Sequence, residues 1–383
     1  MGRFLIVATA GAGGDLQPLI ASAMGLRDRG HETLFLGDQS VQRSLDGLGL
    51  EVGVLPAELD LGPRLVAAVR EAMAESGGDA RAAGPIVLER MSAWARDVAG
   101  PVAEEVRDAR PDALVTSLFG VEVLDAVSPL SPWAVVNSTF YVGPGAPRAL
   151  EEDLAPRAIP LIRHYAALLD SASLVLHATD PVFDFGFGGL PSRHHYVGPL
   201  GIWEPPAEPS PYLDEPGDPW VLVTISSQLQ DDTELAEAAL AALSDRPLRV
   251  VATVGADRAP KDLSTVPGNA RVERVVSHSA VLERGVLLVS HAGHGSVMKA
   301  LWHGRPMVLV PWGRDQPGVA ARAEALGVAR VVPREDAARE TLSTAIDRVL
   351  ADEEMRERSA GHAARLQATD PNATAAMLLE RLL

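Results

Sequence analysis

The sequence predicts an α/β protein of two Rossmann-like domains facing each other across a cleft and joined by a proline-rich linker. Three observations carry that prediction. An apolar run, Phe4-Leu5-Ile6-Val7-Ala8-Thr9, passes through a glycine loop, Gly11 to Gly14, into a helical stretch. The resulting alternation breaks at Trp203-Glu204-Pro205-Pro206-Ala207-Glu208-Pro209-Ser210-Pro211, which can form neither a helix nor a central strand. It then restarts at Trp220. With 383 residues the chain has length for two domains. The expected boundaries are a first domain over 1–202, a linker over 203–218, a second domain over 219–365 and a C-terminal helix over 366–383 crossing back onto the first.

Each element follows from its residues. The run Phe4–Thr9 has no polar alternation, so it reads as a strand buried on both faces. Leu16–Arg29 carries apolar residues at Leu16, Leu19, Ile20, Ala23 and Leu26, and Gly30 stops it. Thr33–Leu36 completes a βαβ unit. Ala113–Thr116, Trp133–Val136, Leu174–His177 and His195–Val197 continue as strands, with helices over 62–75 and 85–107. In the second half the strands are Trp220–Ile225, Arg249–Val254, Leu287–Ser290 and Met307–Val310. Thr233–Leu243, Ser296–His303 and Gln316–Leu326 are helices, and the chain is helical from Ala337 onward.

Composition excludes several classes. Acidic residues outnumber basic ones, 51 to 34, for a formal charge of −17. A phosphate-backbone binder needs a basic surface, so nucleic acid is not an expected partner. There is no cysteine, which removes disulfides, thiol nucleophiles and Cys-ligated metal. No apolar run approaches the ~20 residues of a membrane span, and no signal peptide precedes the first strand. The expected setting is cytoplasmic.

Two glycine turns stand where strands meet helices. Gly11-Ala12-Gly13-Gly14-Asp15 is not a dinucleotide fingerprint, because Leu16 stands where a third glycine is needed, and no G-K-[ST] follows. Asp15 then opens a helix. It is either an N-cap or a general base at the mouth of the cleft. In the second half, Ser290-His291-Ala292-Gly293-His294-Gly295-Ser296 runs from a buried strand into a helix. Backbone N–H groups at such a turn point at an anion, and His291 could add a donor or serve as a strand cap. Pro311-Trp312-Gly313-Arg314-Asp315-Gln316 closes the next strand. Asp315 and Gln316 suit sugar hydroxyls, with N-capping as the other reading of Asp315.

Taken together, residues 290–296, Gly304-x-Pro306 and Pro311-x3-Asp315-Gln316 resemble the donor signature of GT-B nucleotide-sugar glycosyltransferases. The resemblance is to the superfamily of plant natural-product, sterol and bacterial antibiotic enzymes, and it covers nearly the whole chain. Tyr196-Val197-Gly198-Pro199 and Val221–Ser227 fit it, and Gly14-Asp15-Leu16-Gln17-Pro18 resembles the antibiotic and sterol branch. It implies an inverting transfer from a dTDP- or UDP-sugar, without metal or cofactor, to a small aromatic or apolar acceptor. Asp15 would deprotonate the acceptor. Ser227, His291 and the amides of Gly293, His294, Gly295 and Ser296 would hold the diphosphate, and Asp315 and Gln316 the sugar. Val276 would meet the nucleobase through its backbone, with Val275 on its face. The acceptor would lie beside Gly14 and Asp15, with Phe140 and Tyr141 either at the mouth or in ordinary core. His164 is a second proton-shuttle candidate, although a lone helical histidine is more often structural.

Three departures from the pattern matter. Ser226 replaces a usual glycine, Val275 a base-stacking Trp, and Lys299 a ribose-binding Glu. A lysine cannot accept hydrogen bonds from ribose hydroxyls, so a dTDP-sugar, lacking the 2′-OH, is the expected donor. The alternative reading of Lys299 is that it points to solvent or pairs with a diphosphate oxygen and carries no information on the donor. A sterol, lipid or cell-wall-precursor transferase and a non-catalytic partner of another transferase are the alternatives. A homodimer and an auxiliary activator protein both stay open.

Overall fold

The computed structural model describes residues 1–8, 14–127, 130–148, 150–202, 204, 210–226, 232–255 and 263–383. The chain divides into two compact units, Met1–Leu200 with Asp370–Leu383, and Gly201–Thr369.

The first unit is built on seven parallel strands: β1 (Arg3–Val7), β2 (Glu32–Gly37), β3 (Glu51–Val54), β4 (Ala113–Ser117), β5 (Trp133–Asn137), β6 (Leu174–His177) and β7 (His194–Tyr196). Their spatial order is β3-β2-β1-β4-β5-β6-β7. β1 lies between β2 and β4, with Phe4 opposite both Thr33 and Ala113. The strand order reverses there, which is the place where open α/β sheets bind ligands. β4 and β5 are buried along their whole length. Helices cover both faces of such a sheet, so central strands read as unbroken apolar runs.

The second unit has six parallel strands: β8 (Trp220–Thr224), β9 (Arg249–Thr253), β10 (Ala270–Glu273), β11 (Gly285–Ser290), β12 (Met307–Leu309) and β13 (Ala329–Val331). Their order is β10-β9-β8-β11-β12-β13. The reversal falls between β8 and β11, which pair with Ser290 opposite Thr224. One face of this sheet is sealed by Leu235, Leu240, Leu243, Leu342 and Ile346, all fully buried.

Several elements differ from the sequence reading. β3, β10 and β13 are sheet-edge strands of three or four residues that carry polar positions, so no apolar run marks them. The helix read over 85–107 runs Ala80–Ala109 and contains Pro85 and Pro101. It starts early because Asp79 caps it, accepting from the backbone N–H groups of Arg81 and Ala82. The C-terminal region is three helices, Arg339–Ala351, Glu353–Gln367 and Pro371–Leu379. Asp352 and Asp370 break it by capping the second and third, accepting from the N–H groups of Met355 and Ala373.

The last helix belongs to the first unit. It packs on the helix Leu16–Asp28, where a Cβ at Gly25 would stand 2.5 Å from the Asn372 carbonyl oxygen. Glu380 accepts from Arg29 Nε and Nη2, each at 2.8 Å, and lies 2.8 Å from His31 Nε2. Among the described residues no helix is long and apolar enough to cross a membrane.

Candidate functional site

Asp15 sits just beyond β1, at the head of Leu16–Asp28, beside the reversal of the first sheet. It occupies the N-cap position but makes no side-chain cap bond. The Ser138 hydroxyl instead donates to Asp15 Oδ1 through a short hydrogen bond. Ser138 directly follows β5, and its turn is fixed by Asn137. Asn137 is fully buried, and its amide donates to the Phe140 carbonyl at 3.0 Å and to His177 Nδ1 at 3.0 Å. His177 Nε2 then donates to His194 Nδ1 at 3.0 Å. Burial, with smaller contributions from His194 and His195, holds the His177 pKa down at about 3. The ring is neutral, which matches its role as an acceptor at one nitrogen and a donor at the other.

Two readings left open on this side fall to their structural alternatives. Phe140 and Tyr141 are fully buried and do not line an open mouth. The Tyr141 ring stacks on Phe187 and meets His177 and His194 edge-on, and its hydroxyl donates to the Pro144 carbonyl. An aromatic pair after a strand carries no mark that separates a packed turn from a binding wall. His164 lies 3.3 Å from Glu122, which also accepts from Ser92, so it ties helices together. Gly14 is exposed, with open space where a Cβ would stand.

The turn after β11 forms around a strained residue. Ala292 has φ of 66°, a left-handed conformation unusual without glycine. Gly293 then caps the helix His294–Trp302. The first helical bond in it runs from Val297 N–H to the Gly293 carbonyl, so the N–H groups of His294, Gly295 and Ser296 have no intrahelical acceptor. His291 is buried, and its Nδ1 lies 3.3 Å from the Thr224 carbonyl at the end of β8. A Cβ on residue 293 would stand 2.6 Å from His291 Nε2, so only glycine leaves that nitrogen room.

Asp315 takes the N-cap position of the helix Gln316–Ala325, again with no side-chain cap bond. Gln316 is buried, and its Oε1 accepts from the N–H groups of Trp312 and Gly313 at 2.8 and 3.0 Å. Its carbonyl end therefore shapes the turn, so the reading of Gln316 as a sugar ligand is narrowed to its amide nitrogen. Val275 is 67% exposed while Val276 is buried, immediately before the helix His278–Arg284. Ser227 lies outside the described residues. Ser226 N–H donates to buried Asp232 at 2.6 Å.

Lys299 neither faces solvent nor waits for a diphosphate. It is buried, and its Nζ lies 2.9 Å from Glu204, whose side chain is 12% exposed. Glu204 accepts in addition from Ser277 Oγ at 2.7 Å and from the N–H groups of His278 and Ser279 at 3.1 Å. Burial opposes ionisation of this carboxyl, but Lys299, His278 and the hydrogen bonds from Lys299 and Ser277 outweigh it and hold its pKa near about 2. The sequence offers one signal for this contact, an acidic residue inside a proline-rich stretch. Ser138 and Thr224 gave none, because their roles are set by pairing across the sheet.

The comparisons fit this geometry. Residues 237–380 match the family model of the erythromycin biosynthesis protein CIII-like C-terminal domain. The chain is 27% identical to the 4′-demethylrebeccamycin synthase of Lentzea aerocolonigenes, over 96% of this chain and 95% of that one. It is 26% identical to the O-mycaminosyltylonolide 6-deoxyallosyltransferase of Streptomyces fradiae, over 92% and 90%. The spinosyn rhamnosyltransferase SpnG in complex with thymidine diphosphate superposes with a TM-score of 0.72 at 18% identity, covering 99% of each chain. The same enzyme with spinosyn aglycone gives 0.73 at 18% identity, covering 100% of each.

Proposed function

We propose that this chain, a GT-B nucleotide-sugar glycosyltransferase of the antibiotic type, moves a sugar from a dTDP-sugar to a small apolar or aromatic natural product with inversion at the anomeric carbon. Asp15 is the base that takes the acceptor proton. The observation that carries this role is its side chain, which declines the helix N–H groups it stands beside and is held by Ser138 instead. A carboxylate has about four acceptor sites, and the Ser138 hydroxyl fills one of them.

The turn of residues 291–296 is the diphosphate site in this reading. Its three helix-end amides and His291 stabilise the negative charge that grows on the leaving group, which is usually the largest electrostatic contribution to such a reaction. Asp315 holds the sugar hydroxyls, and Val275 and Val276 meet the nucleobase. The transfer uses no metal and no cofactor beyond the donor, in keeping with a sequence that has no D-x-D for a metal on a diphosphate.

Support for a thymidine donor comes from two directions. Lys299 is held in an ion pair with Glu204 and offers no acceptor to a ribose hydroxyl. A structural neighbour carries thymidine diphosphate. Calorimetry with dTDP and UDP tests the donor, and tighter UDP binding overturns that choice. The anomeric configuration of the product, read by NMR, tests inversion; retention rejects it.

A further inference from the structure

The tautomer of His291 is fixed by what it touches. Its Nδ1 lies 3.3 Å from the Thr224 carbonyl oxygen, which can only accept, so Nδ1 carries a hydrogen. In a neutral ring the other nitrogen, Nε2, is then a bare lone pair. Nε2 lies 2.6 Å from the position a Cβ on Gly293 would take. No hydrogen bond reaches Nε2 among the described residues. A phosphate oxygen is also an acceptor only. Two acceptors brought face to face repel, so a diphosphate beside Nε2 requires a proton between them.

The free protein does not favour having that proton in place. His291 is buried, and burial pulls its pKa below the ordinary imidazole value. The charged groups around it are mixed. Asp232, ahead of the helix Thr233–Leu243, and Asp315 favour the charged ring, as does the bond to Thr224. Arg314 opposes it, and so does His278, which heads the helix His278–Arg284. His294 stands on the helix that the turn leads into. A bound diphosphate would add negative charge beside the ring.

We propose that His291 takes up one proton when the diphosphate of a nucleotide sugar binds, and holds it on Nε2 as the donor to a phosphate oxygen. This rests on the reading of residues 291–296 as the diphosphate site. The proton is then in place before the sugar leaves. As the bond from the anomeric carbon to the phosphate oxygen breaks, its electron pair stays on that oxygen, opposite an imidazolium. The acceptor's own proton goes to Asp15, so His291 gives up none to the products while they remain bound.

Calorimetry on the full chain tests this without knowledge of the acceptor. Titrations with dTDP-glucose, whose phosphates carry no titratable proton near neutrality, and with UDP-glucose are run at about pH 8 in buffers of different ionisation enthalpy. The slope of observed enthalpy against buffer enthalpy counts protons, and the expected count approaches one taken up per site. Affinity should fall up to about tenfold per pH unit between the pKa of the free ring and that of the bound ring. His291→Gln supplies an uncharged N–H donor, so it should bind with no uptake and a flat pH dependence. Wild-type binding without uptake, or His291→Gln keeping the wild-type count, overturns the inference alone. No binding of either sugar nucleotide, nor of dTDP or UDP, overturns the diphosphate reading and the inference with it.

Discussion

The hydroxyl of Ser138, just beyond β5, donates to Asp15 Oδ1, which stands beyond β1 where the order of the first sheet reverses. A carboxylate that should take a proton in one direction needs to be held in that direction. Asp15→Asn is expected to keep nucleotide binding and lower turnover by roughly 10²–10⁴-fold. Ser138→Ala leaves the base present but unheld, so a smaller loss is expected, with donor affinity unchanged and activity partly restored by Ser138→Thr. Steady-state kinetics and nucleotide calorimetry on the three variants check this. Wild-type turnover in Asp15→Asn removes the base assignment.

Gly293 and His291 form one unit. Gly293 has φ of −63°, so its backbone accepts any residue, and the obstacle to a side chain is the His291 ring. Gly293→Ala is therefore expected to push the ring aside and weaken nucleotide binding about as much as His291→Ala. The double variant should be no worse than His291→Ala, because the shared interaction can be lost only once. Additive losses measured by calorimetry would contradict the coupling.

The pair Glu204–Lys299 lies within the second unit and ties its first residues to the helix His294–Trp302. Removing one partner strands a buried charge, which costs about 3–5 kcal/mol. Glu204→Gln or Lys299→Met alone is expected to lower the denaturant midpoint of the second unit strongly. The pair of changes together should recover much of the loss, since two apolar or neutral groups leave no unpaired charge. A double variant as weak as the worse single one rules this out.

These three contacts also mark how far the sequence could be read. Both sheets were legible from Phe4–Val7, Ala113–Ser117 and Val221–Val223, because a strand covered on both faces is a run with no polar interruption. The edge strands Glu51–Val54 and Ala270–Glu273 were not, since an edge tolerates polar residues and leaves no such run. Gly293 and Asp15 were legible as turn residues, because a glycine after a buried strand and an acid at a helix head are local signals. Their partners were not. Glu204 meets Lys299, and Asp15 meets Ser138, across sequence separations that no local pattern records.

Acid should destabilise both units. His177 in the first and His278 in the second have pKa values lowered by burial to about 3 and about 4. Unfolding returns each to about 6.5, so between there and the folded values the unfolded chain binds more protons. Their contribution is complete above about pH 6.5 and is lost as pH falls, by up to about 1.4 kcal/mol per pH unit for each ring. Glu204, held near about 2, adds its own loss below about pH 4.5 in the same direction. Thermal unfolding from neutrality to about pH 4 should show falling midpoints, and a flat profile would count against the neutral, buried histidines.

The C-terminal helix offers the sharpest test of the unit boundary. Asp370–Leu383 belongs with Met1–Leu200, although the chain reaches it through the whole of the second unit. Gly25 lies so close to the Asn372 carbonyl that an added methyl would stand 2.5 Å from its oxygen. That neighbour is backbone and cannot swing away, so the helix must move. Gly25→Ala is expected to cost about 1–3 kcal/mol of first-unit stability by overpacking. It improves helix propensity by up to about 1 kcal/mol, which sets the floor of the net effect. Deleting residues 370–383 should act more strongly, because it also removes Glu380 from Arg29 and His31. Hydrogen exchange distinguishes the units: protection should fall in β1 and β2 while β8 and β11 keep theirs. Equal loss in both sheets would mean that the helix supports the second unit too.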